Sequence, residues 1–571
     1  MTNEPGARRK CRAPGGIRRI RNMSEKVYGI DLGTTYSCVA GFDEHGKVVV
    51  FDNDQMEPTT PSVVWFEGRT ATVGSPAKEQ APVHPESVVS AIKRKMGTDE
   101  TVVQSGKSLR PEMVSALILK KLAKDAKANG EDVRKVVITC PAYFGVSERE
   151  ATKRAGEMAG FEVLSIVNEP SAAAFSYGLE QESLDGKTIL VFDLGGGTFD
   201  ATILRMGKDI EVIATGGDSY LGGRDWDETI AKYFIERFCA ETGYDRSAAD
   251  NDPGFLAEMM TLAEKRKRQL TNATKAKVAI EQYGRTCSFE FTRDEFDAKT
   301  AGLMQSAILA TRQVLEEAGQ KEFGFSTAGM EILMVGGSTL MPQVSETLER
   351  EFGIKPKSYL PHEAVARGAA LYARQTLAIK KAEARGLSAD DLFLGGDTSA
   401  SSRNPDLFLG GDSAPIGPRI RNVTSKSFGI RYFHTASDET GFVSNVVAKN
   451  TEIPFSPGGG QGESHSQTLS FNQTACRFEV YEDEEVALYT ELDLDICSKI
   501  GEMTLTGLPP NQPPGQECTV FMEIDREGLL HAWGIHDATR KRCDVTIKTE
   551  RVMSQSEARA AKSDVDWFNV E

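Results

Sequence analysis

Several familiar chemistries are missing from this sequence. Its nine cysteines include no CxxC pair and no His/Cys cluster at zinc spacing, so a zinc finger or a thioredoxin-type redox centre is excluded. The plainest reading is free thiols in a reducing cytoplasm. No apolar run reaches transmembrane length. Positive charge is also scarce: the formal net charge is −16, which argues against broad affinity for nucleic acid or a membrane surface. No G-x-x-x-x-G-K-[ST] loop occurs, and no complete dinucleotide fingerprint, because Asp200 stands where G-x-G-x-x-G needs its last glycine.

What is present centres on Thr188 to Met206, TILVFDLGGGTFDATILRM. Ile189 to Phe192 is a short apolar run of the buried-strand type. Asp193 ends it, Gly195, Gly196 and Gly197 turn the chain, and Thr198 to Leu204 read as a return strand. A glycine turn lets backbone N–H groups approach a phosphate, since no Cβ intervenes. Asp193 and Asp200 at the rim suit a hydrated magnesium, with the Thr198 hydroxyl beside it. Alone, this is equally an ordinary hairpin.

The device recurs. Val27 to Phe42, VYGIDLGTTYSCVAGF, offers a strand, Asp31, Gly33, the hydroxyls of Thr34 and Thr35, and a return strand. EILMVGGSTLMPQV, from Glu331, supplies a third strand and Gly-Gly turn that opens a helix. Paired Asp-Gly-Thr hairpins with a late Gly-Gly turn predict two similar halves clasping one nucleotide.

On these motifs the chain resembles the heat-shock protein 70 (DnaK-like) chaperones of the actin/hexokinase superfamily, from Val27 to about Arg374 and again from about Val423 to Arg551. The resemblance implies a bilobal, actin-like (ribonuclease-H-like) α/β ATPase domain followed by a β-sandwich. It implies ATP/ADP and Mg2+ as cofactors, with K+ as a further cation. Asp31 and Asp193 would hold the magnesium, and Lys93, Glu169, Asp193, Thr198 and Asp200 would form the catalytic set. Gly33, Thr34, Thr35, Tyr36 and Gly195 to Gly197 would cradle phosphates. Glu264, Lys267, Arg268 and Thr271 would grip ribose and base from one side, and Gly336, Gly337 and Ser338 from the other. Without the resemblance, the 264–271 residues are a charged helix face with i,i+4 pairs, and Lys93 is a solvated lysine. Two positions depart from the family: Leu340 stands where an arginine usually stacks on adenine, and His362 where an acid is usual. Both predict weakened nucleotide affinity.

Pro111 to Gly130 reads as an amphipathic helix, and Ser147 with Glu150 as the capping box of another that ends at Gly160. The family's relay from nucleotide to linker falls on Pro141 and Arg149. Pro170 opens a further helix.

The expected layout is a basic, disordered extension (1–26), an ATPase domain (27–385), a linker (386–422), a sandwich (423–551) and a short tail (552–571). Met23 precedes SEKVYGIDLG, so the residues before it read as upstream sequence from a misplaced start, with a nucleic-acid arm or transit peptide as the alternatives. The linker is rich in Gly, Ser, Asp and Pro, and it carries DLFLGGD twice, at 391–397 and 406–412. Arg419 to Val423 does not match the family's apolar linker run; the duplicated LFL segments either replace it by docking on the ATPase, the reading slightly preferred, or are a neutral repeat expansion in a flexible tether. VSNVVAKNTEIP, CRFEVY, GEMTLTGL, CTVFMEID and CDVTIKTE are strand-like and separated by turns. By resemblance Ile430, Phe433, Cys476 and Phe478 would line a peptide groove, although each is equally a sandwich-core residue. The family's helical lid is expected to be missing; SQSEARAAKSDVDW allows only a marginal helix. The implied function is ATP-dependent control of binding to extended apolar polypeptides, with a J-domain co-chaperone and an exchange factor as partners. An ATP-switched scaffold with one dedicated partner and a small-molecule kinase remain open.

Overall fold

The computed structural model describes residues 25–181, 185–386, 417–435, 437–458, 461–545 and 552–571. The extension upstream of Met23 and both DLFLGGD copies lie outside the described residues. Among the described residues no helix is long and apolar enough to cross a membrane.

The first two thirds of the chain build two mixed α/β units around sheets of one design. In the first, strands follow the spatial order 162–168, 135–140, 28–31, 36–42, 48–50. Tyr28–Asp31 runs parallel to Lys135–Cys140 and antiparallel to Tyr36–Phe42. In the second, the order is 357–358, 331–335, 188–194, 199–206, 209–218. Thr188–Leu194 likewise runs parallel to Glu331–Val335 and antiparallel to Phe199–Met206. Both central strands are apolar on both faces because helices cover both sides: Ile189, Leu190, Val191 and Phe192 are fully buried. Helices Glu169–Glu180 and Ala364–Glu383 cross so closely that a Cβ at Gly368 would lie 1.8 Å from the Ala172 carbonyl oxygen.

Local patterning accounts for most elements. Pro111–Ala128 is helical with Met113, Val114, Leu117, Ile118 and Leu122 buried. Val146–Ala159 ends on Gly160 in the left-handed region (φ 98°), as glycine permits. Its start differs from the sequence expectation. The N-cap is Gly145, not Ser147, and the Val146 N–H points at the Glu482 carboxylate, 3.4 Å away, from the far end of the chain. Lys275–Gln282 and Arg285–Thr292 form a hairpin, held by strict alternation of buried Ala276, Val278 and Ile280.

The C-terminal third forms two four-stranded sheets, ordered 442–447, 427–432, 475–483, 498–506 and 463–467, 517–524, 530–536, 542–545. They face each other over a core of Phe428, Ile430, Phe478, Val480, Val520 and Met522.

Two findings revise the sequence reading. Arg419–Val423, expected to be the plain end of a tether, pairs in parallel with Asp209–Asp218 and antiparallel with Glu452–Ile453, extending the second sheet by two strands. Its charges are paired by both neighbouring strands: Arg419 pairs with Asp209 at 3.3 Å and Arg421 with Glu452 at 2.6 Å. Second, Gln555–Trp567 is a capped helix whose Val565 is fully buried against the first unit, so tertiary packing stabilises what would be marginal alone.

Candidate functional site

A cleft of about 310 Å³ lies between the two units. Its floor is made by the two hairpin turns, which touch. A Cβ on Gly196 would lie 2.0 Å from Thr35 Oγ1, and one on Gly197 2.2 Å from Thr34 Cγ2, so only glycine fits at either position. The Gly-Gly turn after Glu331–Val335 closes a third side. Gly336 takes φ 84°, and a Cβ there would meet the Leu194 carbonyl oxygen at 2.4 Å. Ser338 Oγ donates to the Gly195 carbonyl at 2.8 Å, tying this turn to the second hairpin.

Behind the turns stands a group of acids around one lysine. Lys93 is 4% exposed and donates to Glu169 Oε1 at 2.6 Å, with its Nζ 5.7 Å from the centre of the Phe144 ring. It follows Ala91, held at φ 54° ahead of a single 3-10 turn. Burial alone would pull the Lys93 ammonium down, but the neighbouring Glu169 and Asp31 hold it above its ordinary value. Asp31 accepts a hydrogen bond from Thr139 Oγ1 at 3.1 Å. Burial, then the Glu169 charge, raises its carboxyl to about 7. Asp193 and Asp200 are likewise raised, first by burial and then by Glu169.

Four buried carboxylates, Asp31, Glu169, Asp193 and Asp200, outnumber their counter-cations Lys93 and, at Asp200, Arg149, an electrostatic deficit that a divalent cation would fill. Among the described residues no three His, Cys, Asp or Glu side chains converge closely enough to ligate one ion directly. Carboxylate oxygens are the donors that a hard cation such as Mg2+ takes, and that ion usually keeps several of its waters. Asp31 and Asp193, both on the cleft lining, are placed to hold those waters.

The far end of the cleft is lined by Arg268, Thr271, Asn272, Leu340, Met341, Pro361 and His362. Tyr36 donates to Glu264 Oε1 at 3.1 Å across the cleft, Lys78 also bonds Glu264, and Lys267 pairs with Asp227 at 2.8 Å. Burial lifts the Asp227 carboxyl to about 6 against the pull of Lys267. His362 packs against Gly337, and burial followed by the Arg268 charge holds its imidazole below the ordinary histidine value.

Of the residues singled out from sequence, the cleft lining includes Asp31, Gly33, Thr34, Thr35, Tyr36, Lys93, Glu169, Asp193, Gly195, Gly196, Thr198, Glu264, Lys267, Arg268, Thr271, Gly336, Gly337 and Ser338. Gly197 lies in the floor behind Thr34. Asp200 is 1% exposed and sits behind the floor, accepting the Tyr143 N–H at 3.0 Å. Arg149 lies outside the cleft, donating to the carbonyls of Phe144 and Ala142 and to Asn168 Oδ1. Pro141 begins the loop these bonds hold, its carbonyl accepting the Phe144 N–H at 3.2 Å. Residues not foreseen include Cys38 and Met341, inside motifs read for other positions, and Asp227, Asn272 and Pro361. Asp227 alone had a signal, three positions after Arg224 in GGRDWD.

The groove assignment needs correction. Ile430, Cys476 and Phe478 are 1%, 7% and 5% exposed and belong to the core between the two C-terminal sheets. Their strands alternate, and these positions fall on the inward face. Phe433 alone is open, at 38%, with the Arg431 guanidinium 4.7 Å from its ring centre.

A family model described as Hsp70 protein matches residues 27–105, 98–387 and 418–570.

Proposed function

The chain belongs to the Hsp70 family, and on that premise we propose that it is a DnaK-like, ATP-driven chaperone whose two α/β units form a bilobal, actin-like ATPase. Residues 27–385 are the nucleotide-binding domain and residues 423–551 the polypeptide-binding sandwich. The observation that carries this reading is the meeting of two Asp-Gly-Thr hairpin turns over the Lys93–Glu169 pair.

Phosphoryl transfer needs positioning and charge neutralisation more than covalent chemistry. The amides of both turns would cradle phosphate oxygens, a task that glycine's missing Cβ allows. Bound Mg2+ would neutralise phosphate charge from the Asp31 and Asp193 side. Lys93, held protonated by Glu169 and Asp31, brings its ammonium to developing charge on the transferred group. Glu169 and Thr198 orient water. Asp200 acts from behind, holding the 141–145 loop through the Tyr143 N–H. Arg268 faces the base from one side of the cleft, and Leu340 and His362 from the other.

Steady-state hydrolysis of ATP, with and without an extended apolar peptide, tests the reading. Turnover that requires Mg2+ and responds to peptide is expected; no turnover under either condition refutes it.

A second reading has one observation in its favour. With Ile430, Cys476 and Phe478 buried, the sandwich presents no continuous apolar groove from those positions, which suits an ATP-switched scaffold for one dedicated partner. Binding of many unrelated apolar peptides at similar affinity would eliminate it.

A further inference from the structure

The sandwich is held at both of its ends, and by different α/β units. At its start, Arg419–Val423 is a strand of the second unit's sheet, and Asn422 accepts from Ser171 Oγ at 2.8 Å. After its end, the segment 552–571 is built into the first unit. Ser554 caps helix Gln555–Trp567 in a box with Glu557, and Met553 N–H donates to Glu112 Oε1 at 3.4 Å. Val565 and Phe568, 0% and 4% exposed, enter the first unit's core. The Phe568 ring packs edge-on against Phe66, 5.2 Å between centres.

The attachment extends beyond apolar packing. Lys107 pairs with Asp564 at 2.6 Å and Lys120 with Asp566 at 2.5 Å. Arg69 and Lys107 both stand over the Trp567 ring, at 5.1 and 5.0 Å. Asn569–Val570 then adds a parallel strand beside Thr70–Val73. Asn569 N–H donates to the Arg69 carbonyl, Glu571 N–H to that of Ala71, and Val73 N–H to that of Glu571. This covers a sheet edge that would otherwise present unpaired backbone groups.

We propose that residues 552–571 are a permanent anchor, so that nucleotide turnover moves the two units and the sandwich against each other without releasing the sandwich. The argument is cooperativity. A helix of this length is marginal in water, so detachment would cost the helix, the added strand, the core contacts and the ion pairs together. With the anchor in place, the seven Cα steps from Val545 to Val552 allow the sandwich's end to stray at most ~25 Å from the first unit. The linker side adds a second hold, with Arg419–Val423 between Asp209–Asp218 and Glu452–Ile453 and the Lys449–Glu317 pair beside it, so the C-terminal attachment bounds the travel of the sandwich's far end. The inference rests on the proposed ATPase reading only for what drives the motion.

Hydrogen exchange of the full chain, followed segment by segment with ATP, with ADP and without nucleotide, is the test. X-ray scattering of the same samples reports overall size. Slow exchange of residues 552–571 in all three states, with little change in radius of gyration, is expected. Loss of that protection with ADP overturns the anchor. A Lys107→Glu/Lys120→Glu variant should speed exchange of 552–571 at least tenfold and let the radius grow with ADP. Adding Asp564→Lys and Asp566→Lys should restore both, which separates loss of the anchor from general unfolding. A fourfold variant no slower than the twofold one overturns the proposal. Nucleotide binding is measured separately by calorimetry. A chain that binds no ATP thus fails the functional reading, while protection of 552–571 without nucleotide still tests the anchor.

Discussion

Replacing Lys449 by methionine should open the interface between the sandwich and the second α/β unit. Its side chain is 2% exposed and its ammonium lies 2.9 Å from Glu317 Oε1, on helix Arg293–Lys321. Glu317 also accepts from Asn450 Nδ2 at 2.9 Å and from Gln313 Nε2 at 3.2 Å. Methionine fills similar volume but leaves Glu317 as a buried carboxylate with neutral donors only. Stranding one member of a buried ion pair costs about 3–5 kcal/mol, and the two remaining donors place this case near ~3. Once the interface opens, both groups are solvated, so the whole cost falls on the closed state. The opening equilibrium should therefore shift by about two orders of magnitude, at roughly 1.4 kcal/mol per tenfold. Thr215 N–H donates to Asn450 Oδ1 at 3.2 Å across this interface and is its reporter. Its amide should exchange about a hundredfold faster in Lys449→Met. Adding Glu317→Gln should recover much of the loss, because the stranded charge disappears. Unchanged Thr215 exchange in the single variant, or a double variant no better than the single, would refute the reasoning.

Lys93→Ala should abolish single-turnover hydrolysis while ATP binding, read by calorimetry, stays within a few-fold, because the phosphate cradle is backbone. Leu340→Arg should tighten nucleotide binding about 2- to 30-fold, from the roughly 0.5–2 kcal/mol of a guanidinium over an aromatic face; an unchanged dissociation constant would mean that the base is held elsewhere. His362 has a folded-state pKa below its unfolded value of 6.5, so between the two the unfolded chain binds more protons. Stability should therefore rise with pH up to about 6.5 and level off, and urea titrations of His362→Gln should lack that contribution. Gly368→Ala should destabilise by about 1–3 kcal/mol or more, since its Cβ would strike the Ala172 carbonyl; Gly302→Ala, with open space around it, is the control and should be neutral or stabilising.

The turns of the cleft were legible in sequence because their chemistry is local. An aspartate at a strand end, a glycine that must lack Cβ and a hydroxyl beside it occur within a few residues of one another. The 275–292 hairpin is equally local, in the alternation KAKVAI followed by TCSFEF. The groove residues were a different problem. Alternation places Ile430, Cys476 and Phe478 on one face of their strands, but the same period serves a closed core and an open groove. Only the opposing sheet, with Val520 and Met522 against them, decides between the two.

What sequence could not show is where partners come from distant segments. Arg419 to Val423 looked like tether because two arginines interrupt it, yet their carboxylate partners, Asp209 and Glu452, stand on the neighbouring strands. Ser147 looked like an N-cap because a segment read alone must cap itself; in the fold, Glu482 approaches Val146 from the sandwich. These long-range substitutions converge on one place. The loop from Pro141 to Gly145 is held from the cleft by Asp200 at the Tyr143 N–H and by Lys93 beside the Phe144 ring. From the sandwich it is held by Ser425 Oγ on the Phe144 carbonyl at 2.9 Å and by Lys426, 3.6 Å from the Tyr143 ring centre. The same five-residue loop thus touches Lys93 and Asp200 on one side and Ser425 and Lys426 of the sandwich on the other.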